Sequence, residues 1–311
     1  RCVSGLTTPP PLCGTSPTPY GRLEARRLPC EVGEMSAQPT EGSPRRSYNV
    51  SMLPTLVFDI ESIPDVAGIR RLHDLPAALS DDEVAKWAFA QQRLKNGTEF
   101  LPHHLQRVCA ISCVFREGAD KLAVWTLGEE DDDEATIVQK FFELIERRTP
   151  QLVSWNGGGF DLPVLMQRGL ILGVNASRFL ETGANDRAFN FDHYLNRYKE
   201  RHLDLMDFLA MYQARANAPL DTMAKLAGFP GKLGMDGSQV WPAFQRGEIA
   251  EIRAYCETDV ANTYLLFLRF LAMRGDLVPS EYAAEIALLR EKLGASDATH
   301  WKEYLAAWSS T

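Results

Sequence analysis

LPTLVFDIES, residues 53–62, is the stretch on which the fold turns. Its apolar run Leu56-Val57-Phe58-Asp59-Ile60 is short and rich in strand-forming residues, and Pro64 follows closely enough to end it. Side chains two apart on a strand share a face. Asp59 and Glu61 therefore project together while Phe58 and Ile60 turn into the core. Two carboxylates held that close repel each other unless a cation sits between them, which outlines a hard-metal site. A solvated strand edge carries the same residues, so this stretch alone leaves both readings open.

Upstream, residues 1–51 are rich in Pro, Ser, Thr, Gly and Arg (TTPPPLCGTSPTP, then TEGSPRRS) and show no sustained hydrophobic period. Such a segment buries too little apolar area to offset its ordering entropy, so it is expected to be a disordered extension. Met52, directly before the strand, is a natural start, and the extension reads as foreign to the native product. A targeting peptide is the rival reading, weakened by the lack of an apolar core and of an amphipathic pattern.

Downstream, DDEVAKWAFAQQRLK at 81–95 has helical spacing behind an acidic start. Arg107–Phe115 and Lys121–Leu127 flank EGAD as a hairpin. EEDDDE at 129–134 opens an amphipathic helix to about Arg148, its acids suiting the positive end of the helix dipole. Gln151–Trp155 reads as a strand, NGGG as a turn, and Asp161 to Ile171 as a helix. A polar, irregular stretch at 174–199 precedes His202-Leu203-Asp204-Leu205. Helices are expected near 207–215, 220–227, 239–246, 248–274, 280–293 and 298–308. Three early strands, then alternating helix and strand, then helices, is an α/β order with a mixed sheet.

Hydrophobic residues at 45% suffice for a real core, and no apolar run approaches about 18 residues, so no membrane span is expected. The net charge of −8 counts against a chain that grips long nucleic acid with its whole surface. It does not count against an enzyme holding a few phosphates locally. Six cysteines, at 2, 13, 30, 109, 113 and 256, lack zinc-finger spacing. Cys109 and Cys113 would share one face of a strand as core packing, and a reducing, cytoplasmic compartment is expected.

Two further motifs carry chemistry. Trp155-Asn156-Gly157-Gly158-Gly159-Phe160-Asp161 joins a strand to a helix. Its glycines permit positive φ and close backbone approach, and Asp161 stands where a simple N-cap would stand. In Tyr255-Cys256-Glu257-Thr258-Asp259 the Tyr255 hydroxyl and the Asp259 carboxylate share one helix face. A surface tyrosine beside an exposed aspartate reads the same in isolation.

Taken together, strand Asp-x-Glu, strand-to-helix Asn-x3-Phe-Asp and helix Tyr-x3-Asp resemble the three exonuclease motifs of the DEDD superfamily, tyrosine subclass. The wording of LVFDIESIPD, HLQRVCAIS, LVSWNGGGFDLPVL, HLDLMD, AGFPGKLGMDGSQVW and IRAYCETDVANTYLLFLR is similar to that of predicted 3′–5′ exonucleases related to the proofreading domain of family-B DNA polymerases. The resemblance spans about residues 54–272 and is most specific over 228–270. It implies a ribonuclease H-like α/β fold with a five-stranded mixed sheet flanked by helices. It also implies an exonuclease domain at 52–275, with the helices of 276–311 packed on it. One departure is a glycine of NGGG where an arginine or other polar residue is expected.

The same resemblance implies two divalent ions, Mg²⁺ or Mn²⁺, with Asp59 bridging them. Glu61 and Asp259 would complete one ion's site, Asp161 would support the other through water, and Tyr255 would orient the attacking water. Asn156 and Phe160 would lie beside the terminal nucleotide, with plain core packing an equal alternative for Phe160, and Lys232 reads as a phosphate ligand or as a solvated loop lysine. Gln106 and His104, just before the second strand, are placed where they could face the groove, without being counted among the site residues. Asp204 reads as a cap more readily than as a carboxylate behind the metals, and RYKERH at 197–202 as a backbone grip or a wet surface. The implied substrate is the 3′ end of single-stranded DNA. The alternatives are a ribonuclease D-like RNA exonuclease and a non-catalytic nucleic-acid-binding accessory protein. No polymerase block follows in this sequence, so proofreading would require a polymerase partner, and a free-standing repair role is the simpler expectation.

Overall fold

A computed structural model describes residues 54–119 and 121–309; the expectations for residues 1–51 lie outside them. β1 (Thr55–Pro64) runs past both carboxylates to Pro64, longer than the apolar run suggests. Asp65 then caps a helix the sequence reading did not anticipate, α1 (Val66–His73), by accepting from the Gly68 N–H. α2 (Asp81–Asn96) starts from a capping box between Ser80 and Glu83. β2 (Gln106–Glu117) and β3 (Lys121–Thr126) form the expected hairpin. α3 (Glu134–Arg148) begins later than the acidic run, because Asp133 is its cap and Asp132 pairs with Lys140. β4 (Gln151–Ser154) leads through the glycine turn to α4 (Asp161–Leu172), and β5 (His202–Asp204) closes the sheet.

The sheet order is β3-β2-β1-β4-β5, with β2 antiparallel to β1 and to β3, and β1, β4 and β5 parallel. It is the five-stranded mixed sheet of the expected ribonuclease H-like α/β fold. α5 (Leu205–Leu209) stops well short of residue 215, since Met211 and Tyr212 take left-handed backbone and turn the chain away. Three helices follow: α6 (Leu220–Leu226), α7 (Val240–Gln245) and the long α8 (Ile249–Arg274). α9 (Pro279–Gly294) and α10 (Thr299–Ser309) bury Leu289, Leu293, Trp301, Tyr304 and Trp308 in the same cluster as Tyr264 and Leu268 of α8. Among the described residues, no helix is long and apolar enough to cross a membrane.

The two faces of β1 go to different partners. Leu56, Phe58 and Ile60 join the cluster built with Phe141, Ile145, Leu162 and Leu165 of α3 and α4. Val57 and Ile63 turn the other way, into clusters that α8 contributes to. Period-two alternation therefore aims Asp59 and Glu61 at α8. A β-bulge lies beside them: Glu61 pairs with Ala110 but Ser62 pairs with Val108, leaving Cys109 as the extra residue. The bulge resets the alternation, so Cys109 and Cys113 do not share a face. Cys113 sits with Phe58 and Ile111, and Cys109 packs against the cluster of Ile63, Tyr255 and Cys256.

Candidate metal centre

Three elements converge at the end of β1. The strand offers Asp59 and Glu61 toward α8, and successive turns of that helix present Tyr255, Cys256 and Asp259 in return. The Cys256 Sγ lies 3.4 Å from the Asp59 carbonyl oxygen and 3.7 Å from its Oδ2. Asp161 enters from α4. It is no N-cap: its Oδ1 reaches across to accept from the Ile60 N–H at 3.2 Å, beyond the last β1–β4 pair, Val57 with Val153.

The turn before Asp161 is built for close approach, and its strained residue is not a glycine. Positive φ falls on Asn156, at 68°. Gly157 has no room for a side chain: an added Cβ would run into the Ser154 Oγ and lie 2.5 Å from the Ser154 Cβ, whereas at Gly158 the nearest atom would be the Asp204 Oδ2 at 3.2 Å. Asp204 accepts from the N–H groups of Asn156 and Gly158, each at 2.9 Å, and from that of Asp207. It is thus the expected helix cap, and it also anchors the turn that carries Asp161.

Lys232 occupies neither open solvent nor an empty groove. Its Nζ donates to the Asp259 Oδ2 at 2.6 Å, meets the Tyr255 hydroxyl and lies 4.7 Å from that ring's centre. Its loop is pinned by Asn262, which accepts from the Gly231 N–H at 3.2 Å and donates to the Gly231 carbonyl at 2.9 Å. The Tyr304 hydroxyl of α10 in turn holds Asn262. Sequence reasoning passed over Asn262, although it stands one helical turn beyond Asp259.

Phe160 is partly buried against the core cluster of Phe58 and Phe141, and its ring is tilted against two aromatics of the loop before β2. Its ring centre is 5.5 Å from that of Phe100 and 5.7 Å from that of His103. Phe100 is an exposed large hydrophobic residue. Gln106 does not border a groove: it is buried, accepting from the Ser62 hydroxyl and donating to the Leu101 carbonyl. His104 is exposed. In the basic run 197–202, Arg197 donates to Asp207 at 2.6 and 2.7 Å, while Arg201 is buried over Phe189.

Burial and mutual repulsion dominate the electrostatics. Burial, then Asp161, Asp259 and Glu61, hold the Asp59 carboxyl well above the usual range. Burial and then Asp259 do the same to Glu61. Burial pushes Asp161 up to about 7 against the hydrogen bond from Ile60, and raises Asp259 against the pull of Lys232. The Asp259 Oδ1 is buried with no hydrogen-bond partner. One ligand atom each from Asp59, Glu61 and Cys256 lies within 4.8 Å of the other two. Repelling carboxylates with an orphaned buried oxygen are a donor set that fits a divalent cation.

A pH dependence follows. A carboxylate whose folded pKa is raised costs the folded state nothing below its unfolded value, and its full penalty is reached above the folded value. For Asp161 that window runs from about 4 to about 7. His202, whose buried ring is held down to about 4, acts oppositely: its contribution is lost as pH falls from 6.5 toward 4. In chelator, the carboxylates should therefore make the protein less stable at pH 8 than at pH 6.5. The melting-temperature gain on adding Mn²⁺ should be larger at pH 8. Equal gains at both pH values would contradict the coupling.

The family model described as a predicted 3′–5′ exonuclease related to the exonuclease domain of PolB matches residues 98–308. Asp161, Tyr255 and Asp259 fall within the match, and β1 lies before it. The catalytic polypeptide of DNA polymerase epsilon from Emericella nidulans is 23% identical over 146 residues, covering 45% of this chain and 6% of that protein. Its counterpart in Aspergillus fumigatus gives the same identity and coverage. The chain thus spans about 6% of the length of these curated relatives. The solved structure of the family B DNA polymerase from the hyperthermophilic archaeon Pyrobaculum calidifontis is 17% identical with a TM-score of 0.42, covering 71% of this chain and 25% of that one.

Proposed function

The chain belongs to the family of predicted 3′–5′ exonucleases related to the exonuclease domain of PolB, and we propose from that premise that it hydrolyses the terminal phosphodiester at the 3′ end of single-stranded DNA. The observation that carries this reading is the crowding of charge at the end of β1, where Asp59 and Glu61 are each raised by Asp161 and Asp259, and where the Tyr255 hydroxyl feels Asp259, Glu61 and Asp59. All are oxygen donors, which favours Mg²⁺ or Mn²⁺. When bound, such ions would supply an activated water and stabilise charge on the leaving 3′-oxygen. Asp59, repelled by the other three, would be shared between the ions, with Glu61 and Asp259 completing one site and Asp161 supporting the other.

Tyr255 orients the attacking water through its hydroxyl. It is no base, because burial and the neighbouring carboxylates Asp259, Glu61 and Asp59 push its proton affinity above that of an ordinary phenol. Lys232, whose Nζ pairs with the Asp259 Oδ2, would hold an incoming phosphate. Asn156 and Phe160 border the terminal nucleotide. The tilted rings of Phe100 and His103 extend the stacking surface of Phe160 away from the carboxylates.

The test is a 5′-labelled oligonucleotide incubated with Mg²⁺ or Mn²⁺. A ladder shortening from the 3′ end and releasing mononucleotides is expected, faster on single-stranded DNA than on matched RNA or duplex. No shortening of any substrate with either ion would overturn the reading, and a preference for RNA would move it to a ribonuclease. Tyr255→Phe should lower turnover by on the order of 10²–10⁴-fold. Its Mn²⁺ affinity should stay within about threefold of wild type; loss of metal binding would contradict an orienting role.

A further inference from the structure

The sulfur of Cys256 has no part in an oxygen-only metal centre, yet it stands inside the ligand sphere of one. Its Sγ is 3.7 Å from the Asp59 Oδ2, and the ligand atoms of Asp59, Glu61 and Cys256 all lie within 4.8 Å of one another. We propose that these three residues form a sulfur-containing cation site, distinct in donor set from the all-oxygen centre it overlaps, which takes a thiophilic divalent ion such as Zn²⁺ or Cd²⁺.

The geometry favours such an ion. Tetrahedral zinc with bonds of about 2.0–2.3 Å sets its ligands roughly 3.3–3.8 Å apart, so groups within 4.8 Å of one another need to close by at most about 1.5 Å. Two carboxylates and one thiolate are donors that a borderline ion accepts and that Mg²⁺ discriminates against. A second observation points to a ligand at the same place: the Asp259 Oδ1, on the next turn of α8, is buried and unpartnered. Binding exchanges the thiol S–H bond for a metal–sulfur bond, and the proton passes to solvent. Cys109 does not compete for the role, since its Sγ is not among the ligand atoms that lie within 4.8 Å of one another. A sulfur-held ion on Asp59 and Glu61 would exclude the Mg²⁺ pair, so Zn²⁺ would act as an inhibitor. That consequence rests on the exonuclease reading, whereas the site itself does not.

The experiment uses the chelator-stripped full chain titrated with Zn²⁺, Co²⁺ and Mn²⁺. X-ray absorption of the zinc form should show one sulfur at about 2.3 Å among oxygens, and the cobalt form should show sulfur-to-cobalt charge-transfer absorption. Cys256→Ser should abolish that absorption and weaken Zn²⁺ by at least about tenfold, with Mn²⁺ affinity little changed. Cys109→Ser should retain the absorption. Zinc bound by oxygens alone, or cobalt absorption that survives Cys256→Ser or disappears with Cys109→Ser, would overturn the site; the zinc spectrum needs no variant to fold. Sulfur-ligated zinc in a protein that degrades no oligonucleotide in Mg²⁺ would keep the site and reject the nuclease instead.

Discussion

Asp59→Asn is expected to abolish measurable 3′-end degradation, a loss on the order of 10³-fold or more, while making the metal-free protein more heat-stable. Both effects come from one position. Asp59 is repelled by Asp161, Asp259 and Glu61 together, so its carboxylate is the one that an ion between the others would share. The amide keeps its shape and removes its charge. Folding without metal then no longer buries the most crowded charge of the cluster, and the melting temperature above pH 7 should rise by about 2–4 °C for each kcal/mol of repulsion relieved. Stability gained where activity is lost is the signature of a site strained for function. Glu257→Gln is the control, being a carboxylate on the same helix turned instead to Thr126 and His300. Its activity should stay within about threefold of wild type. An Asp59→Asn protein within tenfold of wild type, or one that melts lower, would refute the assignment.

The parts of this centre that could be read from the sequence are those governed by local period. Asp59 and Glu61 share a face because a strand alternates, and Tyr255 and Asp259 share one because a helix turns every 3.6 residues. Neither statement needs to know what lies opposite. The rest depends on partners distant in sequence. No local pattern distinguishes Cys109 as a bulge residue, since the bulge exists only in its pairing with Glu61 and Ser62. The place of Lys232 follows from Asn262, some thirty residues on, and from Tyr304 behind it. Phe100 reads as one exposed aromatic in a loop until the fold sets it against Phe160. Asn156 shows how a correct motif can be misread in detail: the run of glycines suggested positive φ for themselves, but the turn needed their missing side chains, and Asn156 took the left-handed backbone.

Arg168 has no part in the chemistry, yet its loss should cost the fold heavily. It lies two turns along α4 from Asp161 and is 4% exposed. Its guanidinium grips Glu134 at 2.8 and 2.6 Å and Asp65 at 2.5 Å, tying α4 to the first residue of α3 and to the cap of α1. Glu134 also accepts from the Val108 N–H at 2.8 Å, beside the β2 bulge. Arg168→Met would leave Glu134 as a buried carboxylate with no cation, at a cost of about 3–5 kcal/mol by urea unfolding. Adding Glu134→Gln should recover part of that loss, because the amide oxygen still serves Val108 without carrying charge; coupling of about 0.5–3 kcal/mol is expected. Arg147→Met, which breaks an exposed pair with Glu143, should cost less than about 1 kcal/mol. If Arg168→Met cost no more than Arg147→Met, the buried network would be incidental to the fold. If the double variant were less stable than Arg168→Met alone, the cost would lie in lost packing around Arg168 and not in the uncompensated charge of Glu134.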